Sequence, residues 1–95
     1  MELNIADVVI SRNGRDKDKF FVIIAKEENY SFLVDGKRRK LEKPKRKKDK
    51  HVKFDGVINE RLKEKLTNGE KITNKEIRRA LAEYTADTAD KKGDM

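Results

Sequence analysis

Apolar positions along this chain change their spacing once, near residue 56. Before that point they come in short runs: Asp7-Val-Val-Ile-Ser11, Phe20-Phe-Val-Ile-Ile-Ala25 and Tyr30-Ser-Phe-Leu-Val34. Each run is too short and too rich in β-branched and aromatic residues to favour a helix, so each predicts a strand. Turn formers separate them. Arg12-Asn-Gly-Arg15 follows the first run, Lys26-Glu-Glu-Asn29 the second, and Asp35-Gly36 closes the third. Asn-Gly and Asp-Gly pairs tolerate the positive φ of a tight hairpin. In the third strand the two-residue period puts Tyr30, Phe32 and Val34 on one face. Residues 39–43 are a candidate fourth strand with Leu41 as its inward side chain, ended or held at an edge by Pro44. Residues 45–50 have no apolar member and predict a loop, and 51–54 alternate into a fifth strand. Five short strands with a core of Val8, Ile10, Phe21, Ile23, Phe32, Val34, Leu41, Val52 and Phe54 predict a small barrel over residues 1–56. Closure would remove the exposed edges of so short a sheet.

Beyond Gly56 the period becomes helical. Val57, Ile58, Leu62 and Leu66 share one side, and Gly69 suits the position just past a helix end. Thr73-Asn-Lys-Glu76 has the spacing of a capping box and opens a second helix through about Tyr84, with Ile77, Leu81 and Tyr84 as its stripe. Both stripes predict packing faces within a helical extension, 57–84. Residues 85–95 offer no core residue and predict a disordered tail. The fold class expected is mainly β with C-terminal α.

Composition narrows this further. A chain of 95 residues makes one small domain and a tail. With 35% apolar and 45% charged residues, much of it must be surface or unfolded. No cysteine is present, which removes disulfides, thiolate metal sites and cysteine nucleophiles and suits a reducing, cytoplasmic setting. No apolar run is long enough for a membrane span or a signal peptide.

Charge changes the picture most. Residues 36–53 carry eleven Lys or Arg against two acids, while the whole chain is only +7, so the remainder is slightly acidic. Positive charge this concentrated usually faces a polyanion, and RNA or DNA is the commonest. A solvated, self-repelling linker is the alternative. The turn after the first strand adds more cations, and in a barrel the two basic segments can flank one rim as a clamp for a phosphate backbone. The candidate RNA-binding set is therefore Arg12, Arg15, Lys17 and Lys19 in the turn, then Lys37, Arg38, Arg39, Lys40, Lys43, Lys45, Arg46, Lys47, Lys48, Lys50 and His51. Arginine suits bidentate phosphate contacts and lysine acts as a point charge. Phe20 and Tyr30 are the rings that could stack on an unpaired base, although packing is the commoner use. The lack of tryptophan favours backbone and shape recognition over base reading.

Catalytic chemistry finds little support. The single histidine, His51, has no carboxylate near it in sequence to orient it. Asp16 and Asp18 alternate with Lys17 and Lys19, whose charge opposes a divalent ion, and read as turn formers or as local pairs for Arg15 and Lys19. No phosphate-binding glycine loop or nucleophile elbow occurs. The expectation is a non-enzyme with no cofactor, metal or small-molecule substrate.

The stretch Ile5-Ala-Asp-Val-Val-Ile-Ser-Arg-Asn-Gly-Arg-Asp-Lys-Asp-Lys-Phe-Phe-Val-Ile-Ile resembles a KOW motif, a strand–loop–strand unit built around a key glycine. Gly14 matches that glycine, Val8 and Ile10 the first strand, and Phe21, Val22 and Ile24 the second. Phe32-Leu-Val-Asp-Gly36 and its basic sequel resemble the barrel of a eukaryotic and archaeal large-subunit ribosomal protein family, and also short bacterial KOW-domain proteins. The resemblance spans residues 3–54. It departs at Asp18, where many such motifs carry a second glycine. It implies an SH3-like five-stranded barrel that binds RNA through its loops, usually ribosomal RNA, with ribosomal proteins as further partners. KOW domains also meet proteins. The alternative is thus an interaction adaptor for the transcription or translation machinery, presenting Ile58, Leu62, Ile77 and Leu81. A DNA-binding reading shares the electrostatics.

Overall fold

Val8-Val9, Phe21-Val22-Ile23 and Leu33-Val34 are unbroken apolar stretches, the pattern of strands buried on both faces. A computed structural model of the chain describes residues 2–12 and 14–93, with side chains as far as Ala86, and shows that double burial. Five strands form one antiparallel sheet: β1 (Asp7–Ser11), β2 (Phe20–Glu27), β3 (Tyr30–Val34), β4 (Lys45–Lys48) and β5 (Val52–Val57). Their order is β4-β3-β2-β1-β5. The domain is barrel-like, but its two edge strands, β4 and β5, do not pair, so the sheet is not closed. Register shifts on β1 against β5 at Val8/Val9, and on β2 against β3 at Ile23/Ala25, are bulge-like irregularities of the kind that bend a sheet.

One face of the sheet packs Val9, Phe21, Ile23, Leu33 and Val52 with Leu3, and Phe54 lies against them. The other packs Val8, Val22 and Val34 with Ala6 against the helices, through Ile58, Leu62, Ile77, Ala80 and Leu81. The single core expected from the sequence is thus two layers. Val9 and Leu33, absent from the expected core, are fully buried, whereas Ile10 and Phe32 are only partly so. Strict alternation picks one face of a sheet, and here both are covered.

The fourth strand is also displaced from its predicted place. Residues 39–43 form turns, with Leu41 packed against the helical layer, and the all-cationic Lys45–Lys48 is the strand. Its alternation is real: Lys45 and Lys47 are partly buried while Arg46 and Lys48 are exposed. Lysine stems can lie on apolar surface with the charge in water, so the period is hidden when every residue is basic. Pro44 precedes this strand instead of ending one.

Two helices follow, α1 (Glu60–Thr67) and α2 (Asn74–Gly93). α1 starts later than the apolar spacing suggests because Val57 belongs to β5. Asn59 caps it, its Oδ1 accepting from the Leu62 N–H at 2.9 Å. Past its end the Gly69 N–H donates to the Leu66 carbonyl and the Glu70 N–H to that of Lys65. Thr73 Oγ1 accepts from the Glu76 N–H at 3.2 Å, one half of the predicted capping box. α2 continues past Tyr84 to Gly93, through most of the segment for which the sequence predicts no structure; Asp94 and Met95 lie outside the described residues. Ile58, Leu62, Ile77 and Leu81, the face an adaptor would present, are buried against the sheet. Among the described residues no helix is long and apolar enough to cross a membrane.

Candidate nucleic-acid interface

Pairing of Ile10 with Phe20 and of Val22 with Val34 brings the β1–β2 loop (12–19) and the β3–β4 loop (35–44) together beside the start of β2. Asn13 lies outside the described residues, but the first loop is wider than a two-residue hairpin turn. It closes through Asp18 N–H to the Ser11 carbonyl at 2.8 Å and Ser11 N–H to the Lys19 carbonyl at 3.1 Å. Gly14 has φ +80 and Asp18 φ +68. Asp18, the departure from the KOW pattern, therefore adopts the left-handed conformation that a glycine would, and aspartate is one of the few residues to visit it readily.

The second loop is folded by a single carboxylate oxygen. Asp35 Oδ1 accepts from the backbone N–H groups of Lys37, Arg38 and Arg39 at 2.9, 2.9 and 2.8 Å. Asp35-Gly36 is thus an Asp-capped bend and not the hairpin turn predicted for it, since Asp35 keeps a negative φ. α2 holds the loop from behind. The Leu41 N–H donates to Asn74 Oδ1 at 2.8 Å, the Asn74 amide donates to Glu42 Oε1 at 2.8 Å, and Arg78 donates to the Gly36 carbonyl at 2.6 Å. The Asn74 hydrogen bond is the main cause holding the Glu42 carboxyl below its ordinary range.

The loops are joined directly by Arg39 and Asp16, at 3.2 Å. The Asp16 side chain is only 10% exposed. Of the two roles the sequence allows Asp16, a turn former or a local pair for Arg15 and Lys19, the pairing is corrected, because its charged partner comes from the other loop. A second tie starts on β4, where Lys47 Nζ donates to the buried Ser11 Oγ at 2.6 Å. Burial pushes the Lys47 ammonium below its usual pKa, with neighbouring Lys45 and Arg39 acting in the same direction and Asp16 opposing.

The predicted cations divide accordingly. Arg39 and Lys47 are structural ties. Arg46 pairs with Glu27 at 2.7 Å and lies 3.6 Å above the centre of the Tyr30 ring. The Glu27 hydrogen bond raises the Arg46 pKa above its already high ordinary value. Lys19 and Lys45 are partly buried, as is His51, whose carbonyl accepts from the Arg12 N–H at 2.9 Å. Arg12, Arg15, Lys17, Lys37, Arg38, Lys40, Lys43, Lys48 and Lys50 are exposed, and among the described residues their side chains make no hydrogen bond or ion pair. Arg12, Arg15, Lys17, Lys37, Arg38, Lys40 and Lys43 stand on the two joined loops. Lys48 and Lys50 sit apart, beside the β2–β3 turn, where Lys48 pairs with Tyr30 and the Asp49 N–H donates to the Asn29 carbonyl. Asp49 is itself fixed there by Lys26 at 2.6 Å and Ser31 at 2.7 Å.

The two candidate stacking rings differ. Phe20 packs at a 59° tilt against Tyr84, 6.3 Å away, while Tyr30 is covered on one face by Arg46. Sequence reasoning missed Asn74 and Arg78, because nothing local marks a helix residue as the support of a loop more than thirty positions earlier. Among the described residues no three His, Asp or Glu side chains gather as metal ligands. No protein-family model matches the chain, and a search of curated proteins finds no match.

Proposed function

We propose that this chain is a non-catalytic RNA-binding protein of the cytoplasm that docks on structured RNA through phosphate contacts. The target we assign is ribosomal RNA of the large subunit, which follows the KOW resemblance. One observation carries the binding class: two basic loops are tied to each other by Arg39 and Asp16 while seven neighbouring cations stay exposed and, among the described residues, make no side-chain hydrogen bond or ion pair. Because the loops are already ordered in the free protein, less conformational entropy is lost on binding, and a fixed cation array suits a fixed phosphate array. Arginine at 15 and 38 supplies forks for phosphate oxygens, and the lysines supply point charge.

The test is equilibrium binding to a ribosomal RNA fragment as a function of salt. Six or more phosphate contacts predict a loss of about 10³-fold or more in affinity between 50 and 200 mM salt. Replacing Arg15, Lys17, Lys37 and Arg38 with Gln is expected to weaken binding and to flatten the logarithmic salt slope by about three to four. An unchanged slope removes these loops from the interface. Equal competition by duplex DNA would replace RNA with DNA as the partner.

A further inference from the structure

Phe20, the first residue of β2, lies where the two basic loops meet the helical layer. Two adjoining clefts, of about 350 and 460 Å³, share Phe20, Asp35 and Lys37 in their walls. One opens toward α2, where Leu81 and Ala82 extend the apolar floor and Arg78 stands on the rim. The other opens toward the β1–β2 loop, with Lys19 and Arg38 around it. Of the two acids in these walls, Asp35 has one oxygen committed to three backbone N–H groups, and Asp18 is exposed. The ring is only partly buried and meets Tyr84 in a tilted contact, not a stacked one.

An apolar floor that includes an aromatic ring, bordered by cations on both sides, matches the two halves of a nucleotide: a flat base and an anionic phosphate. We propose that the Phe20 clefts form a subsite for one unpaired nucleotide of the bound RNA, its base against Phe20 and its phosphates on Lys37 and the adjoining Lys19 or Arg38. The proposal rests on the RNA-binding reading above and adds a preference to it. The loops alone read backbone and shape. This subsite favours RNA in which an unpaired base emerges next to a helix, whatever the identity of that base, since every base has a face to stack.

The experiment compares two RNA hairpins of the same stem, each closed by a non-nucleotide linker so that no loop base is unpaired, one with a single bulged nucleotide and one without. The native protein is expected to bind the bulged hairpin about 5- to 150-fold more tightly, the range that base–aromatic stacking supplies. Phe20→Leu keeps apolar bulk against Leu81 and Tyr84. It is expected to erase that preference while leaving affinity and salt slope on the plain hairpin unchanged. Equal loss on both hairpins would mean that Phe20 only packs, and overturns the subsite. Photocrosslinking of 5-iodouridine at the bulge to the native protein checks the contact without any substitution; a crosslink outside the Phe20 clefts also overturns it. If the native protein binds neither hairpin, the RNA-binding reading fails together with the subsite. If it binds both equally, the subsite alone fails.

Discussion

At Asp18 the backbone has φ +68, and at Gly36 φ +77. Left-handed conformations cost most residues about 1–2 kcal/mol, aspartate less, and glycine almost nothing. Asp18→Gly is therefore expected to leave unfolding stability within about 1 kcal/mol of the native value, and Asp18→Val to lower it by about 1–2 kcal/mol, both read by chemical denaturation. Gly36 is more constrained, because a Cβ there would meet the Asn74 carbonyl oxygen and the Arg78 backbone. Backbone cannot swing aside as a flexible side chain can. Gly36→Ala is expected to cost at least about 2 kcal/mol from strain and overpacking together. The contrast between these sites also shows what the sequence could convey. At 18 the sequence comparison marked only a departure, an aspartate where many KOW motifs have glycine, and the turn geometry came from the structure. The Gly36 contact depends on a helix dozens of residues away, as does the Asp16–Arg39 pair, and no local spacing reveals either.

At the scale of elements, four strands and both helices were legible, because each has apolar side chains whose period is its own, down to the Val52 and Phe54 alternation of β5. β4 was not. A strand made of Lys-Arg-Lys-Lys has no apolar period, and it forms because β3 offers an edge, with Ser31 opposite Lys47 and Phe32 opposite Arg46. The candidate interface was half legible: charge located the basic loops, but only the fold shows which cations are committed internally. α2 supports the 35–44 loop through the uncharged Asn74, and this separates positioning from charge. Asn74→Ala is expected to speed hydrogen exchange at the Leu41 amide, which donates to Asn74 Oδ1. It is also expected to weaken RNA binding several-fold with no change in salt slope, since no cation is lost. A changed slope would mean that the substitution alters phosphate contacts directly, not loop order.

For the whole molecule, α2 is fastened to the sheet at two separate places, by Asn74 and Arg78 at the β3–β4 loop and by Tyr84 at β5. The radius of gyration, 12.6 Å, is close to the roughly 12 Å expected of one compact unit of this length. Asp55 and Gly56 lie inside β5, where Gly56 pairs with Val8 and Asp55 falls at the register shift against β1. Tyr84 donates to Asp55 Oδ2 at 2.5 Å, and its hydroxyl occupies the space a Cβ on Gly56 would need. Sheet and helices should therefore unfold together in one transition. Burial first, and then Asp55, raise the Tyr84 pKa above its ordinary value. The sign of the pH effect follows from that direction. Below about pH 10, the ordinary tyrosine value, Tyr84 is protonated in folded and unfolded chains alike, and its hydrogen bond contributes fully. Above it the unfolded chain ionises first, so the unfolded state binds fewer protons and stability falls as pH rises. Tyr84→Phe removes both the hydrogen bond and the titration. At pH 7 the native protein is expected to be more stable than this variant by about 1 kcal/mol, and the gap to close as pH rises above about 10. Denaturation midpoints of the two proteins across pH 7–11 measure the gap, with the variant subtracting the titration of the many lysines. A gap that stays constant through pH 11 would detach Tyr84 from the contact that holds α2 to β5.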